Sequence, residues 1–171
     1  VYSRYPGEGL LALSHVPVSP ETRILDVGCG SGGYLFSLGV LGFHHLAGVD
    51  PFLSGDTTLL DGTIPLYRQE ITDFQEDGGE WDLVMMHHSF EHMVNPRQAM
   101  VAAGRLLKAG GTCLIRTPTV TSFAWRHYGT DWFQIDAPRH CFIHSVASIR
   151  LLAEAAGMAL GVEGQPRQQW C

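Results

Sequence analysis

The stretch that decides the fold reads Ile24-Leu25-Asp26-Val27-Gly28-Cys29-Gly30-Ser31-Gly32-Gly33. Its first four residues have the pattern of a short buried strand, and the apolar run from Tyr34 to Phe43 that follows the glycines predicts a helix. Glycines let the backbone turn tightly and approach a ligand that a β-carbon would push away. Exposed N–H groups at the start of the next helix favour anionic or electron-rich ligand atoms. The sequence therefore predicts a strand, a ligand-binding turn and a helix.

A second predicted strand, Leu46 to Val49, ends in the acidic residue Asp50. A carboxylate at this point suits a ribose, because it can accept hydrogen bonds from both sugar hydroxyls. The pair of features indicates a site for a nucleotide-type ligand and disfavours a glycine turn without a ligand.

The glycines fit two templates for such a ligand. Gly28-x-Gly30-x-x-Gly33 satisfies the dinucleotide-binding fingerprint. Asp26-x-Gly28-x-Gly30-x-Gly32 is similar to motif I of the class I S-adenosylmethionine (SAM)-dependent methyltransferases. The turn alone does not decide between the two.

Composition restricts the class of protein. A chain of 171 residues with 45% hydrophobic content can form one domain with a sizeable core. The net charge of −6 disfavours a sequence-independent grip on nucleic acid. No apolar run approaches the roughly twenty residues that span a bilayer, and no signal peptide is visible. We therefore expect neither a nucleic-acid nor a membrane partner, and the sequence leaves the oligomeric state open.

The cysteines indicate a reducing compartment. They are scattered along the chain without CxxC spacing, at Cys29, Cys113, Cys141 and Cys171. Reduced thiols and a cytoplasmic location are therefore expected.

Strands and helices alternate along the rest of the chain. Pro65 to Arg68 leads into a third strand that ends near Gln69-Glu70-Ile71, and the later strands are predicted at Trp81 to Met86, Thr112 to Arg116 and Met158 to Glu163. Residues 51–65 make a poor helix, and Gly78-Gly79 marks a turn. The alternation predicts a Rossmann-like α/β fold with a doubly wound, mostly parallel sheet and helices on both faces.

Two helices have readable boundaries. Asn95-Pro96 predicts a helix start, because Asn can cap and Pro is favoured at the first helical position, and Gly110-Gly111 is predicted to stop this helix. Ser145 is predicted to cap a later helix that Gly157 ends. Only Gly164 to Cys171 remain after the sixth strand, too few residues for a turn and a further strand.

The densest group of titratable side chains is His87-His88-Ser89-Phe90-Glu91-His92. Within it, His88-x-x-Glu91-His92 matches the H-x-x-E-H string of inverted zinc peptidases. Zinc binding would need both histidines on one face of a regular helix and a third ligand downstream. The preceding strand and the nearby Pro96 favour a loop at the carboxyl end of a strand, so no metal is expected.

Ligands of doubly wound sheets bind outside the carboxyl ends of the strands. The Gly28 turn, Asp50, Glu70-Ile71 and His87 all fall at predicted ends of this kind. We therefore expect them to line one crevice.

In order and spacing, these features resemble the class I SAM-dependent methyltransferases of the small-molecule, UbiG-like kind. The resemblance runs from about Ile24 to Gly161. Besides the glycine stretch, it rests on Trp81-Asp82-Leu83-Val84, Phe90-Glu91-His92, Pro96 leading to Leu106-Leu107-Lys108-Ala109-Gly110-Gly111, Asp136-Ala137-Pro138-Arg139-His140, and Ser145 leading to Ala156-Gly157-Met158. The sequence departs from the family at Ala109, where a proline is usual. The family usually closes its sheet with a terminal antiparallel strand, which we expect this chain to lack.

The resemblance implies SAM as the cofactor and assigns its contacts. Those positions are Asp26 and Gly28-Cys29-Gly30 at the methionine part, Asp50 at the ribose hydroxyls, Pro51, Glu70 and Ile71 at the adenine, and His87 beneath the methionine moiety. The pair Glu91-His92 is mainly a structural mark in the family, and we expect it to fix its loop.

The expected reaction is methyl transfer to an oxygen, nitrogen or carbon atom of a small organic acceptor. Residues 1–171 would form a single domain with a leader over 1–21 and a substrate-side lid, rich in aromatic side chains, over 117–141. His88 and His140 are the candidate general bases, followed by His127, because histidine titrates near neutral pH. The alternatives are a SAM-binding domain without catalysis and an NAD-binding oxidoreductase.

Overall fold

The computed structural model describes residues 12–75 and 81–161, which form an α/β fold around one six-stranded sheet. The strands are β1 (Ile24–Val27), β2 (Leu46–Val49), β3 (Thr57–Leu59), β4 (Ile64–Tyr67), β5 (Trp81–His87) and β6 (Leu107–Arg116). Their order is β3-β4-β2-β1-β5-β6, and every neighbouring pair is parallel except β3 with β4. The predicted mostly parallel sheet is confirmed.

Helices pack on both faces of this sheet, as predicted. They are α1 (Gly33–Val40), α2 (Pro96–Leu106), α3 (Phe123–Tyr128) and α4 (Val146–Ala155). Side chains of a strand point alternately to its two faces. Accordingly Ile24 packs with the α1 residue Leu35 in one core cluster, whereas Leu25 packs with Met100 and Ile149, from α2 and α4, in the other.

The two predicted helix starts are observed. Pro96 occupies the first turn of α2, although the side chain of Asn95 makes no capping hydrogen bond. Ser145 caps α4 through a capping box, in which the Ser145 hydroxyl accepts from the N–H of Ser148 and the Ser148 hydroxyl accepts from the N–H of Ser145. A helix start leaves several N–H groups without a partner. The capping box supplies acceptors for such groups, and the proline has no N–H group to satisfy.

Two boundaries on the β2 side differ from the prediction. The third predicted strand, here β4, ends at Tyr67 and not near Ile71, because the N–H of Gln69 turns back to the carbonyl of Tyr67. The segment before it forms no helix, as expected, but it contains the short strand β3, which was not predicted. Left-handed backbone at Leu60 and Asp61 closes the hairpin between β3 and β4.

On the other side of the sheet, β6 begins at Leu107, before the predicted Thr112. Gly110-Gly111 therefore lies within this strand and does not stop the helix, which already ends at Leu106. The pairing of β6 with β5 shifts in register between Trp81 and Leu83. The predicted sixth strand is wrong over residues 158–161, where the N–H of Met158 still donates to the carbonyl of Ala153 at the end of α4. The last two residues of that predicted strand, Val162 and Glu163, lie outside the described part, as do the predicted Gly78-Gly79 turn and residues 164–171.

The lid, residues 117–141, leaves the end of β6 and contains α3 followed by two short 3₁₀ turns. Of the leader, residues 12–21 are described, and Leu13 packs in the core cluster on the α1 side. Within 12–75 and 81–161, no helix is both long and apolar enough to cross a bilayer.

Candidate functional site

The glycine turn, residues 28–33, follows β1 at the carboxyl edge of the sheet. Gly28 and Gly30 adopt left-handed backbone conformations, with φ of 76° and 54°. A β-carbon on Gly28 would lie 2.3 Å from the β-carbon of Ser89, whose hydroxyl donates to the carbonyl of Val27. Glycine is thus required at this position both by its backbone conformation and by the close approach of the turn after β5.

Asp50, at the end of β2, holds the glycine turn from the other side. One carboxylate oxygen accepts from the N–H of Gly30 at 2.8 Å, and the other accepts from the N–H of Phe52 at 2.8 Å. A carboxylate oxygen has two lone pairs, so each still has the capacity to accept from a ligand hydroxyl. Asp50 is therefore an acceptor group fixed by backbone contacts.

Asp26 lies in β1 and is almost fully buried. Burial, and then the negative charge of Asp50, raise the pKa of the Asp26 carboxyl to about 7. A cation that came near would favour the ionised form and lower this pKa again. Asp26 is consequently a buried acid whose ionised form a positively charged ligand would stabilise.

Cys29, the middle residue of the turn, carries a neutral thiol. Burial, followed by the charges of Asp26 and Asp50, raises the pKa of Cys29 to about 12. Its sulfur occupies the space above Gly48, where a β-carbon would lie 2.6 Å from it. The Cys29 side chain therefore fills space between β1 and β2, and no nucleophilic role follows from its chemistry.

His87 is the last residue of β5, and its ring lies 4.9 Å from the ring of Tyr34 in α1. Burial, followed by the positive charges of Arg116 and His88, lowers the pKa of His87 to about 4. Its Nε2 atom is buried without a hydrogen-bond partner among the described residues. Because buried polar atoms are nearly always paired, this nitrogen is one that a ligand in the crevice can satisfy.

The predicted adenine-side residues lie beyond the ends of β2 and β4. Pro51 follows Asp50 directly and is half-buried. Glu70 is exposed in the turn that follows β4. Ile71 is a core residue packed in the same cluster as Phe74, so its side chain is committed to the fold.

Beyond β5 and under the lid is a cavity of about 340 Å³, here called the lid cavity. It lies between the turn after β5, the start of the lid and the end of the lid. Its lining consists of His88, Glu91, His92, Pro118, Phe133, Gln134, Asp136, Arg139 and His140. The structure thus brings the two predicted bases, His88 and His140, into one cavity.

Glu91 forms the centre of the side-chain network in this cavity, and its side chain is fully buried. One carboxylate oxygen lies 3.3 Å from Nδ1 of His88 and 4.0 Å from Nε2 of His140. The other accepts from the hydroxyl of Thr117 at 2.9 Å. Burial alone would raise the pKa of Glu91, but the hydrogen bonds from His88, its own backbone and Thr117 lower it below its ordinary value. Glu91 is therefore an ionised, buried acceptor.

The sequence drew attention to this group through the H-x-x-E-H string, and the family resemblance implied that Glu91 and His92 fix their loop. The loop itself is observed as a 3₁₀ turn, Phe90–His92, so the predicted absence of a long helix is confirmed. The contact with Thr117 was not predicted, because the spacing of the two residues carries no periodic signal.

Glu91, His92 and His140 have potential metal-ligand atoms within 4.8 Å of one another. Both Glu91 oxygens already accept hydrogen bonds, and Nδ1 of His92 lies 2.9 Å from the carbonyl oxygen of Arg139. Glu91 and Nδ1 of His92 are thus engaged in contacts within the protein, whereas Nδ1 of His140 has no hydrogen-bond partner among the described residues. The absence of a metal stays a prediction.

The aromatic side chains of the lid divide into two groups. Trp132 is buried, whereas Phe123 and Phe133 are largely exposed. Phe133 lines the lid cavity. His127 stacks on Phe123 and is not among the cavity-lining residues, which separates it from the two other candidate bases.

Comparison with known proteins gives a family match over most of the chain. A profile of the family described as "Methyltransferase domain" matches residues 3–160. The ubiquinone biosynthesis O-methyltransferase of Maricaulis maris is 32% identical over 151 residues, which are 81% of this chain and 59% of that protein. The chain thus spans about three-fifths of the length of that relative.

Solved structures match the fold. The YcgJ protein of Bacillus subtilis superimposes with a TM-score of 0.67 at 16% identity, covering 86% of this chain and 66% of that one. An O-methyltransferase family protein of Burkholderia thailandensis gives a TM-score of 0.66 at 17% identity, covering 92% and 52% of the two chains. At these identities the likeness concerns the architecture alone.

Proposed function

Because this chain belongs to the class I SAM-dependent methyltransferases, we propose that it transfers the methyl group of SAM to a hydroxyl oxygen of a small organic acceptor. The family membership confirms the resemblance found in the sequence and disfavours the NAD-binding alternative. The choice of oxygen follows the name of the relatives, which are O-methyltransferases. A cavity of about 340 Å³ is of the size that small-molecule sites have.

The residues at the carboxyl edge fit SAM. The missing β-carbon of Gly28 and the left-handed turn give a ligand access to the backbone, and Nε2 of His87 is a buried atom that lacks a partner among the described residues. Asp26 suits a ligand with a positive charge, and Asp50 suits a ribose. The remaining contacts proposed are Cys29 and Gly30 near the methionine part, and Pro51, Glu70 and Ile71 near the adenine.

When bound, SAM supplies a methyl group on a sulfonium, which is already a good electrophile. The protein has to hold the acceptor in line, exclude water and take up the hydroxyl proton. We propose that the lid keeps water from the crevice and that the imidazoles of the lid cavity take up the proton. We propose His88 and His140 for this role.

The observation that carries this proposal is the position of the lid cavity. Ser89 contacts Gly28 at the cofactor turn, and the adjacent residue His88 lines the cavity. One short turn after β5 therefore borders both the proposed cofactor site and the proposed acceptor site. Two reactants bound there would lie side by side.

The test is formation of S-adenosylhomocysteine by the purified chain from SAM and a panel of phenols, catechols and amines. We expect turnover with at least one hydroxylated acceptor, and calorimetric binding of SAM but not of NAD. His88→Ala and His140→Ala should each lower kcat while SAM affinity persists. His127→Ala is the matched control, because this histidine lies in the same lid outside the cavity. SAM binding without turnover on any acceptor would favour the non-catalytic alternative.

We also propose that the chain acts in the cytoplasm and without nucleic acid. Free thiols at Cys29, Cys113 and Cys141 support a reducing compartment. The net charge of −6 supports a neutral or cationic partner over a polyanion. Cell fractionation of the natural protein and a nucleic-acid retention assay test these two statements.

A further inference from the structure

Resting on the proposed function, we propose that Glu91 is the positioning residue of the methyl transfer: its buried carboxylate holds His88 in the tautomer that can accept the acceptor's proton. This role goes beyond the loop-fixing role that the sequence suggested. Of the two proposed bases, it makes His88 the one whose tautomer is fixed by a hydrogen bond.

The tautomer follows from the contact between the two side chains. An ionised carboxylate only accepts hydrogen bonds, so the His88 nitrogen that faces it must carry the proton. That nitrogen is Nδ1, at 3.3 Å from Glu91. In the neutral ring Nε2 then has the free lone pair, and it is the ring atom left for a ligand of the lid cavity. Such a hydrogen bond fixes both the orientation and the protonated nitrogen of an imidazole.

The backbone of His88 supports the same conclusion. Its φ of 50° is left-handed, which is uncommon for a residue with a β-carbon and costs free energy. The His88 N–H donates to the carbonyl of Arg116 at 2.8 Å, which anchors this conformation to the end of β6. The ring is thus held from two sides, by its backbone and by Glu91.

His140 stands in a weaker relation to the same carboxylate. Its Nε2 lies 4.0 Å from Glu91, beyond hydrogen-bond distance, and its side chain is 10% exposed against 44% for His88. Its Nδ1 is buried without a partner among the described residues. His88 is therefore both better oriented and more accessible to an acceptor.

Glu91 also has a structural role that has to be separated from the proposed one. Its carbonyl oxygen accepts from the N–H groups of Cys141 and Phe142, which fastens the end of the lid. These are backbone contacts and survive a side-chain substitution. Glu91→Gln therefore removes the charge and leaves the fastening in place.

The kinetic test compares Glu91→Gln with Glu154→Gln, an exposed control in α4. We expect Glu91→Gln to lower kcat about 10²-fold, within the usual range for general-base catalysis, with acceptor KM and SAM Kd changed by less than about threefold. The control should keep wild-type values. In the double variant Glu91→Gln/His88→Ala, kcat should equal that of His88→Ala, since residues that act as a unit are not additive.

A second readout does not depend on turnover. Nitrogen-15 NMR of the imidazoles reports which ring nitrogen carries the proton, and the wild-type protein should show His88 protonated at Nδ1. Because this uses the unmutated chain, it decides the proposal even if Glu91→Gln does not fold. It also decides when no acceptor is turned over, a result that would count against the proposed function alone.

Three results would overturn the inference. A neutral His88 ring protonated at Nε2 and not at Nδ1 in the wild-type protein would exclude the tautomer. Additive losses in the double variant would show that Glu91 acts independently of His88. Loss of activity in a chelator, restored by a divalent cation, would assign Glu91 to metal binding.

Discussion

The two halves of the crevice are built in different ways. On the cofactor side, the carboxylate of Asp50 holds backbone N–H groups, and Gly28 lies against a neighbouring strand end. On the lid side, contacts run between side chains from distant segments, such as Glu91 with Thr117. The cofactor half is therefore determined by the sheet itself, whereas the lid half depends on the identity of individual side chains.

The two halves therefore differ in how well they tolerate substitutions. The pairing of β1 with β2 and β5 fixes the cofactor half. A substitution there disturbs the fold as well as the site. The lid leaves the end of β6 and returns to the turn after β5, outside the strand pairings, so its chemistry can change while the fold persists. Ser89 is the contact between the halves, because it touches Gly28 and hydrogen bonds to Val27.

The largest expected effect is a loss of stability on substitution of Gly28 in the cofactor half. Gly28→Ala places a β-carbon 2.3 Å from Ser89 at a φ of 76°, and left-handed strain and overpacking each cost about 1–3 kcal/mol. We expect unfolding by urea to show a loss of about 3 kcal/mol or more, together with loss of SAM binding. Gly30→Ala, at a φ of 54° with nothing within 4 Å of the new atom, should lose only about 1 kcal/mol of stability. Equal losses of stability in the two variants would show that the clash is unimportant.

The same contrast explains what the sequence predicts well. Strand β1, the glycine turn and Asp50 are close in sequence and follow local rules of periodicity and turn chemistry, so their convergence was predictable. The errors on this side are boundaries. Strand β4 ends at Tyr67 because the backbone turns back at Gln69, and no side-chain pattern announces such a turn.

The lid half was predictable only as a set of residue types. His88 and His140 could be named because histidine is the usual base, but their shared carboxylate depends on how the lid returns to the turn after β5. That return is fixed by backbone hydrogen bonds from Cys141 and Phe142, which leave no mark in the sequence. The exposed positions of Phe123 and Phe133 likewise follow from tertiary packing.

A second, smaller effect probes one side chain of the cofactor half. Asp50→Asn keeps one acceptor oxygen, loses one of the two hydrogen bonds from the N–H groups of Gly30 and Phe52, and removes the charge that strengthens hydrogen bonds to a ribose. A charge-assisted hydrogen bond contributes about 1.5–3 kcal/mol, so SAM affinity measured by calorimetry should fall about 10–100-fold. Asp61→Asn, at an exposed hairpin residue, should leave the affinity unchanged. An unchanged affinity in Asp50→Asn would remove Asp50 from the proposed ribose contact.

The third prediction concerns pH and the buried acid of the cofactor half. The pKa of Asp26 is raised to about 7, chiefly by burial and then by Asp50. The ionised form attracts the positively charged cofactor, so binding is weak where Asp26 is protonated. SAM affinity should therefore rise about tenfold between about pH 6 and pH 8, in line with the ionised fraction. In Asp26→Asn the affinity should be lower and nearly independent of pH, and a persistent slope would point to another group.

The smallest effect tests His87, the last residue of β5, whose ring lies against Tyr34. Its pKa is lowered to about 4, so between about pH 6.5 and pH 4 the unfolded chain binds more protons than the folded one. Stability is accordingly full above the unfolded value and is lost as the pH falls through this window. His87→Asn should reduce that loss by about 1 kcal/mol, after allowing for the partial exposure of the ring. Urea unfolding at pH 7 and pH 4.5 measures it, with the exposed His45→Asn as control. An identical loss in wild type and His87→Asn would show that the His87 ring is not held neutral by its burial in the crevice.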